Sequence, residues 1–397
     1  MLSSSSSLPE ASSPSLALVP ATPQEIIECA KLNFSAWAGP LSLESYLQRE
    51  SFLATQGLTK DGGITTWILV DTSTKNRIIL SACESIRKRA LLYHNGKLEE
   101  VTAHGVASVY CRPEFRGRGY ASRLIKELGD KLRTWHHQEA VFAVLYSDIG
   151  KKFYTAHGWN PFPSTHISLP AVLNGDRASS TPIFTSNLAE YCRDDENALR
   201  KSLSSNSNLS SNTKVALIPD AETMHWHHAR EEFLAKELFG RLPDKKGAAV
   251  GSAPGERVWC IWTRTFGDNE NPHVLRILRM VVEGEDWQSR LGQGNEGNED
   301  RCSQPLAKLQ GENRDEKVLK IMTALSEAQA EAQRWNISEV QLWNPSPLTI
   351  LAAKNIDPSI TVVNREETSI ASLKWYGVAN KLYNSVEWIA NEKYGWC

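Results

Sequence analysis

A glycine-bearing loop between a strand and a helix carries the clearest chemical signal in the sequence. Alternating apolar residues run up to Cys111, Pro113 follows, and an Arg-Gly-Arg-Gly loop opens directly into a segment with helical spacing. The first amides of a helix have no partners within it, and the helix dipole places positive potential there. Glycine allows close approach of the backbone, and arginine complements phosphate charge. A plain strand-to-helix turn is the alternative, but the whole combination favours a pyrophosphate site. The predicted contacts are Arg116, Gly117, Arg118, Gly119, Tyr120 and Ala121.

The elements predicted on either side of this loop determine where it lies. A capping box from Thr22 to Glu25 begins one helix, and a second helix is predicted from Leu43 to Ala54. Strand candidates follow, then the amphipathic helix that begins near Ala121, then another strand and a short helix. The order is β-α-α-β-β-β-α-β-α, so the loop opens a helix that connects two strands. The predicted strands are Leu16–Val19, Trp67–Asp71, Ile78–Ile86, Gly105–Cys111 and Ala140–Tyr146.

The composition is that of an ordinary globular protein and excludes several classes of partner. The chain has 397 residues, of which 41% are apolar and 23% are charged, and its formal net charge is -2. Nucleic-acid binding needs a basic excess, and a membrane span needs about 18 consecutive apolar residues. We therefore predict no nucleic-acid partner and no membrane partner. The seven cysteines are scattered without metal-ligand spacing, which predicts no metal site and a reducing, cytoplasmic location. The sequence carries no signal for an oligomeric state.

The chain is predicted to contain two folded domains. Residues 1–15 are serine-rich and predict a disordered tail, whereas residues 16–170 hold the elements named above. Residues 171–212 become polar and serine-rich, which is typical of a linker. Residues 213–397 form the second domain, and their sequence contains no glycine-rich phosphate loop. A helix, a tryptophan and a strand follow one another in both halves, and this faint repeat indicates duplication of one α/β unit.

Two motifs resemble those of the GCN5-related N-acetyltransferase (GNAT) superfamily. Residues 116–121 match its (Gln/Arg)-x-x-Gly-x-(Gly/Ala) loop, and residues 153–159 are similar to its Phe-Tyr-x-x-x-Gly-(Phe/Trp) helix. Segments 81–91, 104–109 and 391–397 resemble the fungal L-lysine N6-acetyltransferase family. The resemblance implies a GNAT fold of the α/β (α+β) class, with a central mixed, mostly antiparallel sheet flanked by helices. It also implies that a second, degenerate GNAT-like α/β domain follows.

The same resemblance implies a reaction and its partners. The co-substrate would be acetyl-coenzyme A, and its acetyl group would pass directly to the ε-amine of free L-lysine in lysine catabolism. In the superfamily the strand before the loop parts from its neighbour and pairs with the pantetheine arm; here these residues are Val109, Tyr110 and Cys111. A backbone amide there would hold the thioester oxygen. Three alternatives stay open: another small amine, a protein lysine, or a non-catalytic acyl-coenzyme A scaffold.

The resemblance to the GNAT superfamily also helps to predict the catalytic residues. Tyr154 occupies the superfamily's usual general-acid position, where its phenol would protonate the departing thiolate, and a packed aromatic is the alternative. The general base is either His104 or Glu84, which lies within an otherwise apolar strand. Glu84 or Asp148 would anchor the ammonium group of the substrate, unless Asp148 caps a helix instead. A further hypothesis is that the end of the chain at Cys397 reaches the cleft and supplies a carboxylate base.

Overall fold

Two mixed β-sheets, each flanked by helices, make up the described chain in this computed structural model. The described residues are 8–74, 77–135, 139–172, 179–205, 213–268, 271–284, 312–377 and 386–397. The strands are β1 (Leu16–Pro20), β2 (Ile64–Asp71), β3 (Ser81–His94), β4 (Lys97–Cys111), β5 (Ala140–Ser147), β6 (Asn160–Pro161), β7 (Thr165–Pro170), β8 (Thr181–Phe184), β9 (Thr213–Leu217), β10 (Lys245–Val250), β11 (Val258–Thr265), β12 (Val274–Val282), β13 (Glu339–Trp343), β14 (Val363–Asn364), β15 (Ile370–Trp375) and β16 (Val386–Trp388). The helices are α1 (Pro23–Trp37), α2 (Leu43–Ala54), α3 (Tyr120–Leu132), α4 (Lys152–Thr155), α5 (Thr185–Ser205), α6 (Ala221–Phe239), α7 (Glu312–Arg334) and α8 (Pro347–Ile356).

The first sheet carries the predicted strand–loop–helix unit at its centre. Its strands follow the order β1-β2-β3-β4-β5-β15-β6, and β9 pairs with the second half of β3. β4 and β5 are parallel and are connected through α3, whereas the other neighbours in this order are antiparallel. The predicted mixed, mostly antiparallel sheet is therefore confirmed. The apolar face of α3 is buried against this sheet through Leu124, Ile125, Leu128 and Leu132.

The second sheet repeats the connections of the first. β10, β11 and β12 form an antiparallel meander, and β13 then pairs parallel with β12. α7 lies in the chain between these two parallel strands, as α3 lies between β4 and β5. The faint sequence repeat thus corresponds to a repeated topology, and the prediction of a second GNAT-like α/β domain is confirmed.

The two halves of the chain exchange their last strands. β7, which follows the elements of the first half, pairs with β13 and β14 in the second sheet. β15, which follows the elements of the second half, lies between β5 and β6 in the first sheet. Each sheet is therefore completed by a strand from the other half of the chain.

These pairings differ from the predicted domain boundaries. Residues 165–170 lie in the second sheet, although they are predicted to end the first domain, and residues 370–375 lie in the first sheet. The predicted linker 171–212 contains β8 and α5 in its described part, residues 179–205. The sequence also allows a helix over residues 188–199 of this segment, and α5 contains that range and extends beyond it, although only a narrow stripe of the helix is apolar. The stripe includes Leu188, Leu199 and Leu203, all of which are buried.

The described part of the N-terminal tail, residues 8–15, packs against α3, although its composition predicts disorder. The Arg123 guanidinium donates hydrogen bonds to the carbonyl groups of Ala11 at 2.8 Å and Leu16 at 3.2 Å. The Tyr120 hydroxyl donates to the Pro9 carbonyl at 2.6 Å. Backbone carbonyls hold this segment in place, and a serine-rich composition does not reveal such contacts. Residues 1–7 of the predicted tail lie outside the described residues.

Local sequence signals explain where α1 begins. The Thr22 hydroxyl accepts a hydrogen bond from the Glu25 amide, and the Glu25 carboxylate accepts one from the Thr22 amide at 2.8 Å. This reciprocal capping box satisfies two amides that the helix itself leaves unbonded. In the described ranges of the chain, no helix is both long and apolar enough to cross a membrane.

Candidate functional site

β4 and β5 part from each other at a bulge, which opens a cleft between them. The two strands, both fully described, pair from Thr102 to Val106 of β4 and no further. Ser108 has a φ of +52°, and the pairing of β4 with β3 shifts register in the same region. An extra residue in one strand bends that strand away from its neighbour. Backbone groups of residues 107–111 that face β5 are therefore left for a ligand, as the resemblance implies for the pantetheine arm.

The cleft has a volume of about 1410 Å³. Its walls come from α1, α2, β3, β4 and β5 of the first half and from α6 and the last two residues of the second half. The fold thus brings together side chains that are far apart in the sequence. The predicted site residues that line it are Glu84, Val109, Tyr110, Cys111, Arg116, Ala121, Asp148 and Tyr154.

The loop at the start of α3 presents unbonded amides. Gly117 and Gly119 have φ angles of +76° and +84°, which residues with side chains rarely adopt. The first backbone hydrogen bond of α3 joins the Arg123 amide to the Gly119 carbonyl at 3.0 Å, so the amides of residues 120–122 have no acceptor within the helix. A Cβ atom built on Gly117 meets no atom of the described chain within 4 Å. A Cβ on Gly119 would lie 3.2 Å from the Ala11 Cβ, so the open space is on the Gly117 side of the loop. Free amides beside this space fit a pyrophosphate.

The side chains of this loop differ in how far they are available to bind a ligand. The Arg116 Nε donates to the Cys111 carbonyl at 3.1 Å and so ties the loop to the end of β4. The Arg118 side chain is exposed and makes no hydrogen bond or ion pair within the described chain, which leaves its charge available. The Tyr120 phenol bonds the N-terminal segment, so this residue offers the cleft only its backbone amide.

Tyr154 lies inside the cleft as a protonated phenol. It is 7% exposed and belongs to the apolar cluster that also contains Cys83 and Leu145. Burial raises the pKa of Tyr154 well above its ordinary value, and the neighbouring Cys83 and Asp148 raise this pKa further. A phenol with a raised pKa keeps its proton at neutral pH and can donate it to a stronger base that forms beside it.

Glu84 is a carboxylic acid of the cleft that titrates near neutral pH. Burial first, and then the negative charge of Glu50, raise the pKa of Glu84 from 4.5 to about 7. The Ser108 hydroxyl and the Arg49 guanidinium oppose this rise. A group that is half ionised at neutral pH can accept a proton there, which is the property of a general base.

Asp148 lies at the cleft, where a substrate anchor is predicted, whereas His104 does not line the cleft. Asp148 is exposed at the edge of the cleft, and its Oδ1 accepts a hydrogen bond from the Ser369 amide at 2.8 Å. This carboxylate therefore holds the turn before β15 and does not cap α4. His104 has 0% exposure and is not among the residues that line the cleft. The motif located the strand of His104, but the fold encloses this side chain away from the wall of the cleft.

Several residues that line the cleft carry no sequence motif. They come from two helices of the first half and from α6 and the end of the chain. The Arg49 guanidinium donates two hydrogen bonds to the Glu50 carboxylate, at 2.6 and 2.8 Å, and its side chain is only 3% exposed. An adjacent Arg-Glu pair is also common on solvated helix surfaces, so only the burial distinguishes it. The missed residues include Asn33, Tyr46, Arg49, Glu50, Trp226 and Arg230. Trp396 and Cys397 also line the cleft, as the hypothesis about the end of the chain predicts, and a carboxylate base there stays a prediction.

Comparison with known proteins shows that two protein families match parts of the chain. Residues 166–397 match the family described as "LYC1 GNAT-like C-terminal domain", and residues 89–159 match the "Acetyltransferase (GNAT) family". The chain is 22% identical over 309 residues to a protein named lysine acetyltransferase from Yarrowia lipolytica, covering 66% of this chain and 74% of that protein. It is 25% identical over 194 residues to the Saccharomyces cerevisiae protein YGR111W, covering 41% and 45% of the two chains. A solved GCN5-related N-acetyltransferase from Kribbella flavida superposes with a TM-score of 0.49 and 14% identity, over 91% of this chain and 72% of the other.

Proposed function

Because the chain belongs to the family of the LYC1 GNAT-like C-terminal domain and carries an acetyltransferase (GNAT) domain, we propose that it transfers the acetyl group of acetyl-coenzyme A to the ε-amine of free L-lysine. The observation that carries this proposal is the meeting of three parts in one cleft. These parts are the unbonded amides at the start of α3, the protonated phenol of Tyr154 and the carboxyl of Glu84.

The co-substrate is proposed to bind along the open edge of β4. The amides of residues 117–122, together with Arg116 and Arg118, would hold the pyrophosphate, since amides and the helix dipole favour an anion. The backbone of Val109, Tyr110 and Cys111 would pair with the pantetheine arm, because β5 does not occupy this edge. A backbone amide of the same edge would polarise the thioester carbonyl. Glu84 and Tyr154 then lie in the same cleft as the reacting end of the arm.

The proposed chemistry needs a proton to leave the ammonium group before the attack, a second proton to leave the same nitrogen after it, and a proton to reach the thiolate. The ε-ammonium of lysine has an ordinary pKa of about 10.4, so it must lose a proton before its nitrogen can attack the thioester carbon. Glu84 would accept that proton, because its pKa of about 7 leaves part of it ionised at neutral pH. The new C–N bond forms, the C–S bond breaks, and Tyr154 donates a proton to the departing thiolate. The attacking nitrogen releases its second proton as it becomes an amide, and this proton restores the Tyr154 phenol. Asp148, at the edge of the cleft, would attract the cationic substrate as it enters.

A thiol-release assay tests this function. Purified full-length protein is mixed with acetyl-coenzyme A and one amine at a time: L-lysine, L-ornithine, spermidine or a lysine-containing peptide. We expect free thiol to appear with L-lysine and the product to carry its acetyl group on Nε by mass spectrometry. Binding of acetyl-coenzyme A without thiol release for any amine would contradict the proposal and favour a scaffold. A role in cytoplasmic lysine catabolism further predicts that loss of the gene impairs growth on L-lysine as the nitrogen source.

A further inference from the structure

The half of the chain that lacks a phosphate loop contributes an arginine to the cleft. α6 carries Trp226 and Arg230 one helical turn apart, and both line the cleft. Both also approach Trp396, whose ring centroid lies 6.5 Å from the Trp226 ring and 5.7 Å from the Arg230 Cζ. α6 is held beside α2 by a hydrogen bond of 2.6 Å from the Ser45 hydroxyl to the Glu237 carboxylate. The Arg230 guanidinium therefore lies at the wall of the cleft, beside the Trp396 ring.

Some buried cations of this half, such as Arg365 and Lys393, form no ion pair with a carboxylate in the described chain, but neither of these two lines the cleft. Four other buried cations have carboxylate partners. Each forms an ion pair of 2.9 Å or less: Lys246 with Glu231, Arg257 with Glu283, Arg264 with Glu331 and Arg279 with Asp195. Such pairing is expected, because a buried charge without a partner is strongly unfavourable. These cations stabilise the fold and have no capacity left for a ligand.

Arg230 differs from these cations. It makes no hydrogen bond and no ion pair with any residue in the described parts of the chain. The Glu50 carboxylate acts on Arg230, but the two donors of Arg49 already hold Glu50. Burial, and then the positive charge of Arg49, lower the pKa of Arg230 to about 10, which means that its surroundings do not compensate its charge. An anionic group bound in the cleft would compensate it.

We propose that Arg230 binds the α-carboxylate of the acceptor, so that the cleft selects a free amino acid whose side chain ends in an amine. This inference rests on the proposed function and adds the group that chooses the acceptor. A guanidinium can hold a carboxylate through two parallel hydrogen bonds, which fixes its orientation as well as its position. A diamine lacks that anion, and a lysine inside a protein chain has an amide in its place. Glu84 would then face the amine at the end of the side chain of the same amino acid.

The acetyl-transfer test compares two acceptors that differ only in the carboxylate. L-lysine and 1,5-diaminopentane are offered to the wild type, to Arg230→Gln and to Arg230→Lys. We expect Arg230→Gln to raise the KM for L-lysine by roughly tenfold or more, to change kcat little and to leave the diamine unaffected, since a hydrogen bond to a charged group contributes this much. Arg230→Lys should recover part of the loss. Equal KM values of the wild type for both acceptors, or an equal effect of Arg230→Gln on both, would overturn the inference.

A binding measurement separates this inference from the proposed reaction. L-norleucine has the amino-acid head group of lysine but no ε-amine, so calorimetry with it does not depend on acetyl transfer. Binding to the wild type that is lost in Arg230→Gln supports the carboxylate site, even if no amine is acetylated. Equal binding to both proteins, or no binding to the wild type, overturns the inference.

A peptide that ends in lysine distinguishes a free amino acid from a chain terminus. We expect this peptide to bind at least tenfold more weakly than L-lysine, and equal binding would contradict the selection of a free amino acid. Arg241→Gln, on an exposed arginine outside the cleft, is the matched control, and unchanged affinity for acetyl-coenzyme A shows that each variant is folded.

Discussion

Replacing Glu84 by glutamine is expected to change how the stability of the protein depends on pH. In the folded chain burial raises the pKa of Glu84 from 4.5 to about 7. Between these two values the unfolded chain has released the proton while the folded chain still holds it, so the free energy of unfolding falls as the pH rises. At about 1.4 kcal/mol for each pH unit, the span between the two values amounts to about 3 kcal/mol. This contribution to stability is fully present below the pKa of Glu84 in the unfolded chain, and it is lost once the pH rises above the pKa of Glu84 in the folded chain.

Glutamine keeps the shape of the side chain and does not titrate. The free energy of unfolding of Glu84→Gln minus that of the wild type should therefore be about 2 to 3 kcal/mol larger near pH 8.5 than near pH 5, so the variant gains relative stability as the pH rises. Urea unfolding of both full-length proteins at the two pH values measures this difference. Any change in hydrogen bonding that glutamine causes is present at both pH values and cancels in the comparison.

The control for this measurement is Glu28→Gln, which changes an exposed carboxylate of α1. It should unfold like the wild type at both pH values. If the stability difference between Glu84→Gln and the wild type were the same near pH 5 and near pH 8.5, Glu84 would not titrate near neutral pH. Its assignment as general base would then lose its physical basis.

Three further predictions concern the acetyl transfer. The value of kcat/KM should fall about tenfold for each pH unit below pH 7, because Glu84 must be ionised, and a flat profile of thiol release between pH 5 and pH 7 would contradict this. Tyr154→Phe should lower kcat roughly 100-fold with little change in KM, whereas Tyr191→Phe, which alters a ring packed on Trp259, should not; equal rates for both variants would exclude the acid role. Gly119→Val should weaken acetyl-coenzyme A binding at least about tenfold in calorimetry, because a positive φ disfavours a β-branched residue and distorts the amides. Gly240→Val, at the positive-φ end of α6, should cost stability but leave that affinity unchanged.

Parts of the molecule that depend on neighbours in sequence could be predicted from the sequence. The loop before α3 and the capping box of α1 each lie within a few residues, so their geometry follows from local residue types. Glu84 could also be singled out, because a carboxylate within an apolar strand needs either a partner or a function. The parallel pairing of β4 with β5 followed from the helix between them.

Other parts depend on contacts between distant segments. The exchange of β7 and β15 joins residues more than 150 positions apart, and the apolar pattern of a strand does not specify which sheet accepts it. The same limit applies to Arg230, because its neighbours in sequence do not show that the fold places it at the cleft without an ion-pair partner in the described chain. His104 shows a third limit: the motif located its strand, but the packing of distant segments decided that its side chain is buried and does not line the cleft.

The exchanged strands also have a consequence for synthesis of the protein. β5 lies beside β15, so the sheet that carries the cleft stays incomplete until residues 370–375 have left the ribosome. A nascent chain that ends before them exposes the unpaired edge of β5, and an exposed edge of this kind favours association with other chains. Folding of the acetyl-transfer site is therefore a late event of translation. A chain that is terminated prematurely after residue 170 would contain both sequence motifs and would still be inactive as an enzyme.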